Sequence, residues 1–230
     1  MELSGYVNQF FFGYYPHLAL AVFLVGSLLR FDREQYTWKS DSSELLRKDP
    51  LRLGSNLFHI GILGIFFGHL VGLLTPAAVW HAIGLPAPAK QMIAMVAGGV
   101  AGLLCLIGLA ILLNRRLSDP RIRGTSRTTD IVVLVLFLAQ LLLGLYSITI
   151  SAQHRDGGEM LKLMDYVQRV VTFRAGGVGL LDDVSWVFKA HILLGFTIFL
   201  VFPFTRLVHI WSGFASVFYL LRPYQVVRTR

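Results

Sequence analysis

The sequence predicts an all-α integral membrane protein, a bundle of five transmembrane helices forming one domain over residues 1–230. Three observations carry this. Five apolar runs each reach about 20 residues or more, the length a helix needs to cross a bilayer. Only 15% of the 230 residues are charged and 55% are hydrophobic, whereas a soluble domain carries about a quarter charged residues. Mean hydropathy is +0.63.

The first run spans residues 6–29, is interrupted by Pro16 and His17, and ends at Arg30. The second spans 53–75 and reads LGSNLFHIGILGIFFGHLVGLLT. It is apolar throughout, yet it holds His59 and His69 and the glycines Gly61, Gly64, Gly68 and Gly72. The last three recur every fourth residue and line one ridge of a helix. A ridge without side chains admits another helix or a flat cofactor close to the backbone. The third run, 91–113, contains Gly98, Gly99, Gly102 and the single cysteine, Cys105. The fourth, 131–150, follows Asp130. The fifth, 184–211, is the longest and is expected to kink at Pro203. Between the last two runs, Leu161, Met164, Val167 and Val171 share a helical face, with Lys162, Asp165 and Arg169 away from it. This predicts a surface helix over 159–172 lying on the membrane.

The loops alternate in charge. Arg30, Arg33, Lys39, Arg47, Lys48 and Arg52 separate runs one and two. Arg115, Arg116, Arg121, Arg123 and Arg127 separate three and four, and Arg206, Arg222, Arg228 and Arg230 close the chain. Cationic loops stay cytoplasmic. The N-terminus is therefore expected outside and the C-terminus in the cytoplasm. The same rule accounts for the net charge of +8, and no basic, aromatic-interleaved run outside the membrane segments argues for nucleic acid. One cysteine excludes an internal disulfide, covalent haem attachment through Cys-x-x-Cys-His, and an iron–sulfur cluster held by this chain alone. The N-terminal stretch lacks a basic region and a cleavage site, so it reads as a retained first span.

An ionisable group in hydrocarbon is costly and marks a functional site by default. His59 and His69 lie ten residues apart on run two, about 15 Å along a helix. His191 and His209 lie eighteen apart on run five, five whole turns and about 27 Å on an ideal helix. Runs two and five are antiparallel. This pairs His69 with His191 toward the outside and His59 with His209 toward the inside. Each pair can sandwich one haem iron through neutral imidazole nitrogens. Zinc or copper, or four hydrogen-bonded bundle histidines, are the other readings, and the glycine ridge favours a porphyrin. The unequal separations, 15 against 27 Å by the ideal rise, must be absorbed by tilt, the Pro203 kink or off-centre ligation.

The other polar residues read differently. His17 has no partner at its depth and is assigned to packing or a minor polar contact. His81 and His154 fall in outer loops. Lys90 is either a snorkelling interfacial lysine or a donor to a quinone oxygen near the outer haem. Asn56 and Arg206 lie about one turn from His59 and His209, where they meet haem propionates or a partner subunit, or simply anchor at the interface.

The strings SNLFHIGILGIFFGHL, LTP, AKQMIAMVAGG, LCLIG, SAQHRDGGEM, FPFTRLVHIWS and FDREQYTW resemble the cytochrome b (gamma) subunit of membrane-bound respiratory nitrate reductase over nearly the whole chain. The dihaem anchors of hydrogenases and formate dehydrogenases share the principle but not these strings. The resemblance implies five transmembrane helices in the cytoplasmic (inner) membrane and two non-covalent b haems. It implies that His59 and His209 ligate the proximal haem, and His69 and His191 the distal one. A quinol site beside the distal haem would involve Lys90, Gly68 and His69. Quinol would be oxidised near the periplasmic face, with protons released there. Electrons would pass through the distal and then the proximal haem to an iron–sulfur (beta) subunit, and on to a molybdenum (alpha) subunit reducing nitrate in the cytoplasm. The proline-rich LPAPAK before Lys90 departs from the family pattern and bears on quinone preference. The basic inner loops and the tail RPYQVVRTR are the expected docking surfaces.

Overall fold

The computed structural model describes residues 3–34, 37–38 and 49–212. Lys39, Arg47, Lys48, Arg222, Arg228, Arg230 and the tail RPYQVVRTR lie outside the described residues. No strand occurs among the described residues. Five helices are long and apolar enough to cross a membrane, in agreement with the five runs: Gly5–Arg33, Leu51–Leu74, Ala87–Ser118, Thr128–Ser151 and Trp186–Phe204.

The first span is built from α1 (Leu3–Asn8), a π-helical stretch (Gln9–Tyr14) and α2 (Tyr15–Arg33). Pro16 sits in the first turn of α2, where its missing N–H costs nothing. The second span is α3 (Asp49–Leu74). Pro76 then starts a short helix, α4 (Ala77–Ala82), and Pro86 precedes α5 (Ala87–Ser118). Asp119 caps α6 (Pro120–Thr125) through its carboxylate, which accepts from the Arg121 N–H at 3.0 Å. Next come α7 (Thr128–Ser151), α8 (Gly158–Val171) and α9 (Trp186–Val201). Neither α4 nor α6 follows from the apolar runs, because each is a single turn or two started by proline.

α3 packs most extensively on α5; α5 packs on α7, α7 on α9 and α9 on α2. Glycines make the α3–α5 contact possible. A Cβ at Gly61 would lie 2.6 Å from the Ala101 carbonyl oxygen and collide with the Cys105 backbone nitrogen. A Cβ at Gly108 would collide with the Phe58 nitrogen and come within 2.7 Å of the Gly54 carbonyl. The two helices therefore meet backbone to backbone, as small residues allow between membrane helices. The backbones of α3 and α9 approach at isolated points at most. α5 and α7 link them, so α3 and α9 stand apart with a gap between.

α8 crosses one end of the bundle and packs on α3 and α5. It enters through Gly157, whose left-handed backbone (φ 82°) lies against Ala87. Met164, Tyr166 and Val170 are buried on its inner face. The Tyr166 hydroxyl donates to the Phe12 carbonyl at 3.0 Å, and burial pushes this phenol upward from its ordinary pKa. Gln168 donates to the Leu73 and Thr75 carbonyls at 2.9 and 3.3 Å, which satisfies acceptors left open where α3 ends.

The fifth span is not one long helix with a kink. α9 stops at Val201, 3₁₀ turns follow at Phe202–Phe204 and Arg206–Val208, and Thr205 between them is extended (φ −123°, ψ 178°). Pro203 has no N–H to continue the ladder and its ring crowds the preceding turn. His209 thus lies beyond a break, rather than on the same ideal helix as His191.

Candidate functional site: two imidazole pairs across the α3–α9 gap

His59, His69, His191 and His209 stand in two pairs, the α3 rings exposed and their partners half-buried. The rings of His69 and His191 have centroids 6.2 Å apart, and those of His59 and His209 lie 6.4 Å apart. An imidazole nitrogen binds a first-row metal at about 2 Å, and the ring centroid lies about 1.1 Å behind it. Two rings axial on one metal therefore have centroids about 6.3 Å apart. Both observed pairs have this spacing.

The tautomers agree with it. Nδ1 of His59 lies 2.7 Å from the Ser55 carbonyl, and Nδ1 of His69 lies 2.8 Å from the Ile65 carbonyl, each one turn earlier. Nδ1 of His209 lies 2.7 Å from the Arg206 carbonyl. Nδ1 of His191 lies 3.1 Å from the Gln140 carbonyl, across on α7. A carbonyl only accepts, so each Nδ1 carries the proton and each Nε2 presents a lone pair. Metal-binding histidines are oriented in this way by a second partner. Ligand type, centroid spacing and the protonated Nδ1 are those that two histidines sharing one haem would need.

The sequence pattern did not single out the residues that hold His191. Gln140 supplies the carbonyl, and its side-chain amide donates to the His191 Nε2 lone pair at 3.3 Å, a bond that must give way before that nitrogen binds a metal. Gly144 lies against the ring: a Cβ there would be 3.0 Å from His191 Cε1. Apolar periodicity does not reveal such residues, because they act through a carbonyl and through an absent side chain.

The glycine ridge divides in two. A Cβ at Gly64 would touch Ala101 at 3.2 Å, whereas Gly68 and Gly72 have nothing within 4 Å. The ridge therefore leaves the α3 backbone bare beside His69. Lys90 does not snorkel. It is buried, with Nζ donating to the Gly72 carbonyl at 2.7 Å and to Met164 Sδ at 2.9 Å, beneath α8 and 5.2 Å from the Trp80 ring centroid. Its acceptor Gly72 lies one turn beyond Gly68 on α3. A shallow crevice joins Lys90 to Ala77, Trp80, His81 and Leu161.

The remaining polar residues take other places. His17 lies with Nδ1 2.8 Å from the Gly13 carbonyl and Nε2 3.1 Å from the Val170 carbonyl, a polar contact between the first span and α8. His81, His154 and Asn56 are exposed. Arg206 pairs with Asp130 at 3.7 Å, and Asp130 also receives Arg116 at 2.8 Å.

The fold and the paired rings define a class: a five-span helical membrane protein that presents two facing imidazole pairs between its second and fifth spans. The chain belongs to the nitrate reductase gamma subunit family, whose model matches residues 8–230. It is 53% identical over 225 residues to respiratory nitrate reductase 1 gamma chain of Escherichia coli K12, covering 98% of this chain and 99% of that protein. It is 54% identical to the 2 gamma chain of the same organism, covering 98% of each. Nitrate reductase gamma chain of Bacillus subtilis 168 is 36% identical over 97% of this chain and 99% of its own length.

Proposed function

We propose that this chain is the membrane-anchoring, dihaem b-type cytochrome subunit of a respiratory nitrate reductase, and that it takes electrons from membrane quinol. The observation that carries the reading is the pair of 6.2 and 6.4 Å ring separations between α3 and the fifth span. His69 and His191 would hold the distal haem, and His59 and His209 the proximal one; when bound, two b haems would supply one-electron transfer. Zinc or copper sites need further protein donors. Among the described residues no group of three or more His, Cys, Asp or Glu side chains converges.

The α8 end faces outward and the α6 end faces the cytoplasmic side of the inner membrane; the arginines flanking α6 support this orientation. Quinol approaches where Gly68 leaves the α3 backbone bare, beside His69. Lys90 Nζ donates to the Gly72 carbonyl and to the Met164 and Met160 sulfurs, the last a long contact of 3.7 Å that a quinol oxygen would displace. It orients the quinol oxygen, and the two protons of oxidation leave on the outer side. On the cytoplasmic side an iron–sulfur (beta) subunit receives the electrons for the molybdenum (alpha) subunit that reduces nitrate. This chain anchors that complex and has no role in binding nitrate.

The test is a reduced-minus-oxidised absorbance spectrum of the purified chain, with haem quantified per chain. The expected result is two b haems. Removing His69 or His191 is expected to abolish the distal signal and quinol oxidation while leaving the proximal haem. A colourless protein would sink the proposal.

A further inference from the structure

The break after α9 rests against the first span, and a stripe of α2 is shaped to it. Phe23, Gly26 and Arg30 stand at i, i+3 and i+7 on one face. The Phe23 ring meets Phe199, Phe202 and Trp211 at centroid distances of 5.1, 4.8 and 5.5 Å. Gly26 admits the Pro203 ring; a Cβ there would lie 2.9 Å from Pro203 Cγ. One turn further, Arg30 closes the break. Its Nη1 donates to the Pro203 carbonyl at 2.7 Å and to the Thr205 carbonyl at 2.8 Å. Its Nε and Nη2 donate to the hydroxyl and the carbonyl of Thr37 at 3.2 and 3.3 Å.

Those two carbonyls need such a donor. In a continued helix the Pro203 carbonyl would accept from Leu207 N–H and the Thr205 carbonyl from His209 N–H. Here Leu207 N–H turns to the Thr205 hydroxyl at 3.2 Å, and His209 N–H turns to the Arg206 and Leu207 carbonyls. Carbonyls left unpaired in a membrane are costly. Arg30 supplies the missing donors from a planar fork that an ammonium cannot reproduce. The carbonyl that orients the His209 ring belongs to Arg206, the residue following Thr205.

We propose that Arg30 is a positioning residue for the His59–His209 site, holding the break in the conformation that sets His209 opposite His59. The inference rests on the proposed haem reading. His191 stands within regular α9 and takes its orienting carbonyl from α7, so the His69–His191 site is independent of Arg30.

The test is a redox titration of membranes carrying the full chain, as parent, Arg30→Met and Arg30→Lys. Bands are assigned with His191→Ala and His209→Ala. Arg30→Met is expected to weaken haem retention at the His59–His209 site by about tenfold or to shift that haem's potential, with the other haem unchanged. Arg30→Lys is expected to lie between parent and Arg30→Met. Parental stoichiometry and potentials in Arg30→Met overturn the proposal, and so does equal loss at both sites. Should Arg30→Met fail to accumulate, Arg30→Lys decides: a selective change at His59–His209 supports the assignment and parental behaviour at both sites overturns it. A parent chain without haem overturns the haem reading and this inference with it, a result distinct from a dihaem parent whose variants are unchanged.

Discussion

The two imidazole pairs have almost the same spacing, yet they are built by different means. On α3, His59 and His69 are equivalent: each sits within one regular helix and bonds the carbonyl one turn before it. On the fifth span the two partners differ. His191 lies within α9, is oriented by the Gln140 carbonyl of α7, and rests on Gly144. His209 lies past a helix break and takes its orienting carbonyl from the same irregular segment. One site depends on helix–helix packing; the other depends on side chains that hold an irregular backbone in place. Nearly equal ring spacing need not share a common support, so the two sites should fail separately.

The largest expected effect falls on both sites together. Gly61→Leu forces α3 away from α5, because even a Cβ has no room. A cost of about 3 kcal/mol or more, the upper end for overpacking, should appear as lost protein in membranes and no haem at either level. Normal accumulation with two haems would show that the α3–α5 contact does not define the gap. Next come the ligands: His209→Ala or His59→Ala is expected to remove the proximal haem alone, read by haem per chain near one. Loss of both haems from either variant would show the sites to be interdependent and break the comparison. Gly144→Ala follows. Its Cβ would press on His191 Cε1 at 3.0 Å, so the distal haem should be disturbed, with about tenfold weaker retention, while the proximal spectrum stays parental. A disturbance confined to the proximal haem would reverse the assignment. The smallest structural effect is expected at Gly68. Gly68→Ala has open space around it, so both haems should remain, and only the KM for quinol should rise, by a few-fold. An unchanged KM would remove Gly68 from the quinol site.

Much of this was legible in the sequence, residue by residue. The pairing order of the four histidines follows from antiparallel spans alone, since depth in a membrane tracks position along a helix. Ideal helices, however, left the paired histidines about 15 and 27 Å apart on the two spans, a mismatch that no choice of face removes. The break at Phe202–Val208 ends the regular rise and reroutes the chain, and its carbonyl pairing depends on Arg30, a residue far away in sequence. Arg30 by itself reads only as a charge closing the first span. Lys90 reads equally as an interfacial lysine, until α8 is seen to cover it. The glycines of α3 look alike in the pattern; Gly61 meets α5 while Gly68 meets nothing, because that depends on where the neighbouring helix passes.

The sequence by itself determined the five apolar spans, the charge alternation of the loops, and the two spans that carry the paired histidines. These properties are local: hydrophobic length, loop charge and spacing along one axis. Only the tertiary structure decided that the paired rings of α3 and the fifth span stand 6.2 and 6.4 Å apart, that His209 is presented by a broken helix, and which glycines are filled. Those depend on backbone approach and on hydrogen bonds between distant segments, which periodicity along one chain does not encode.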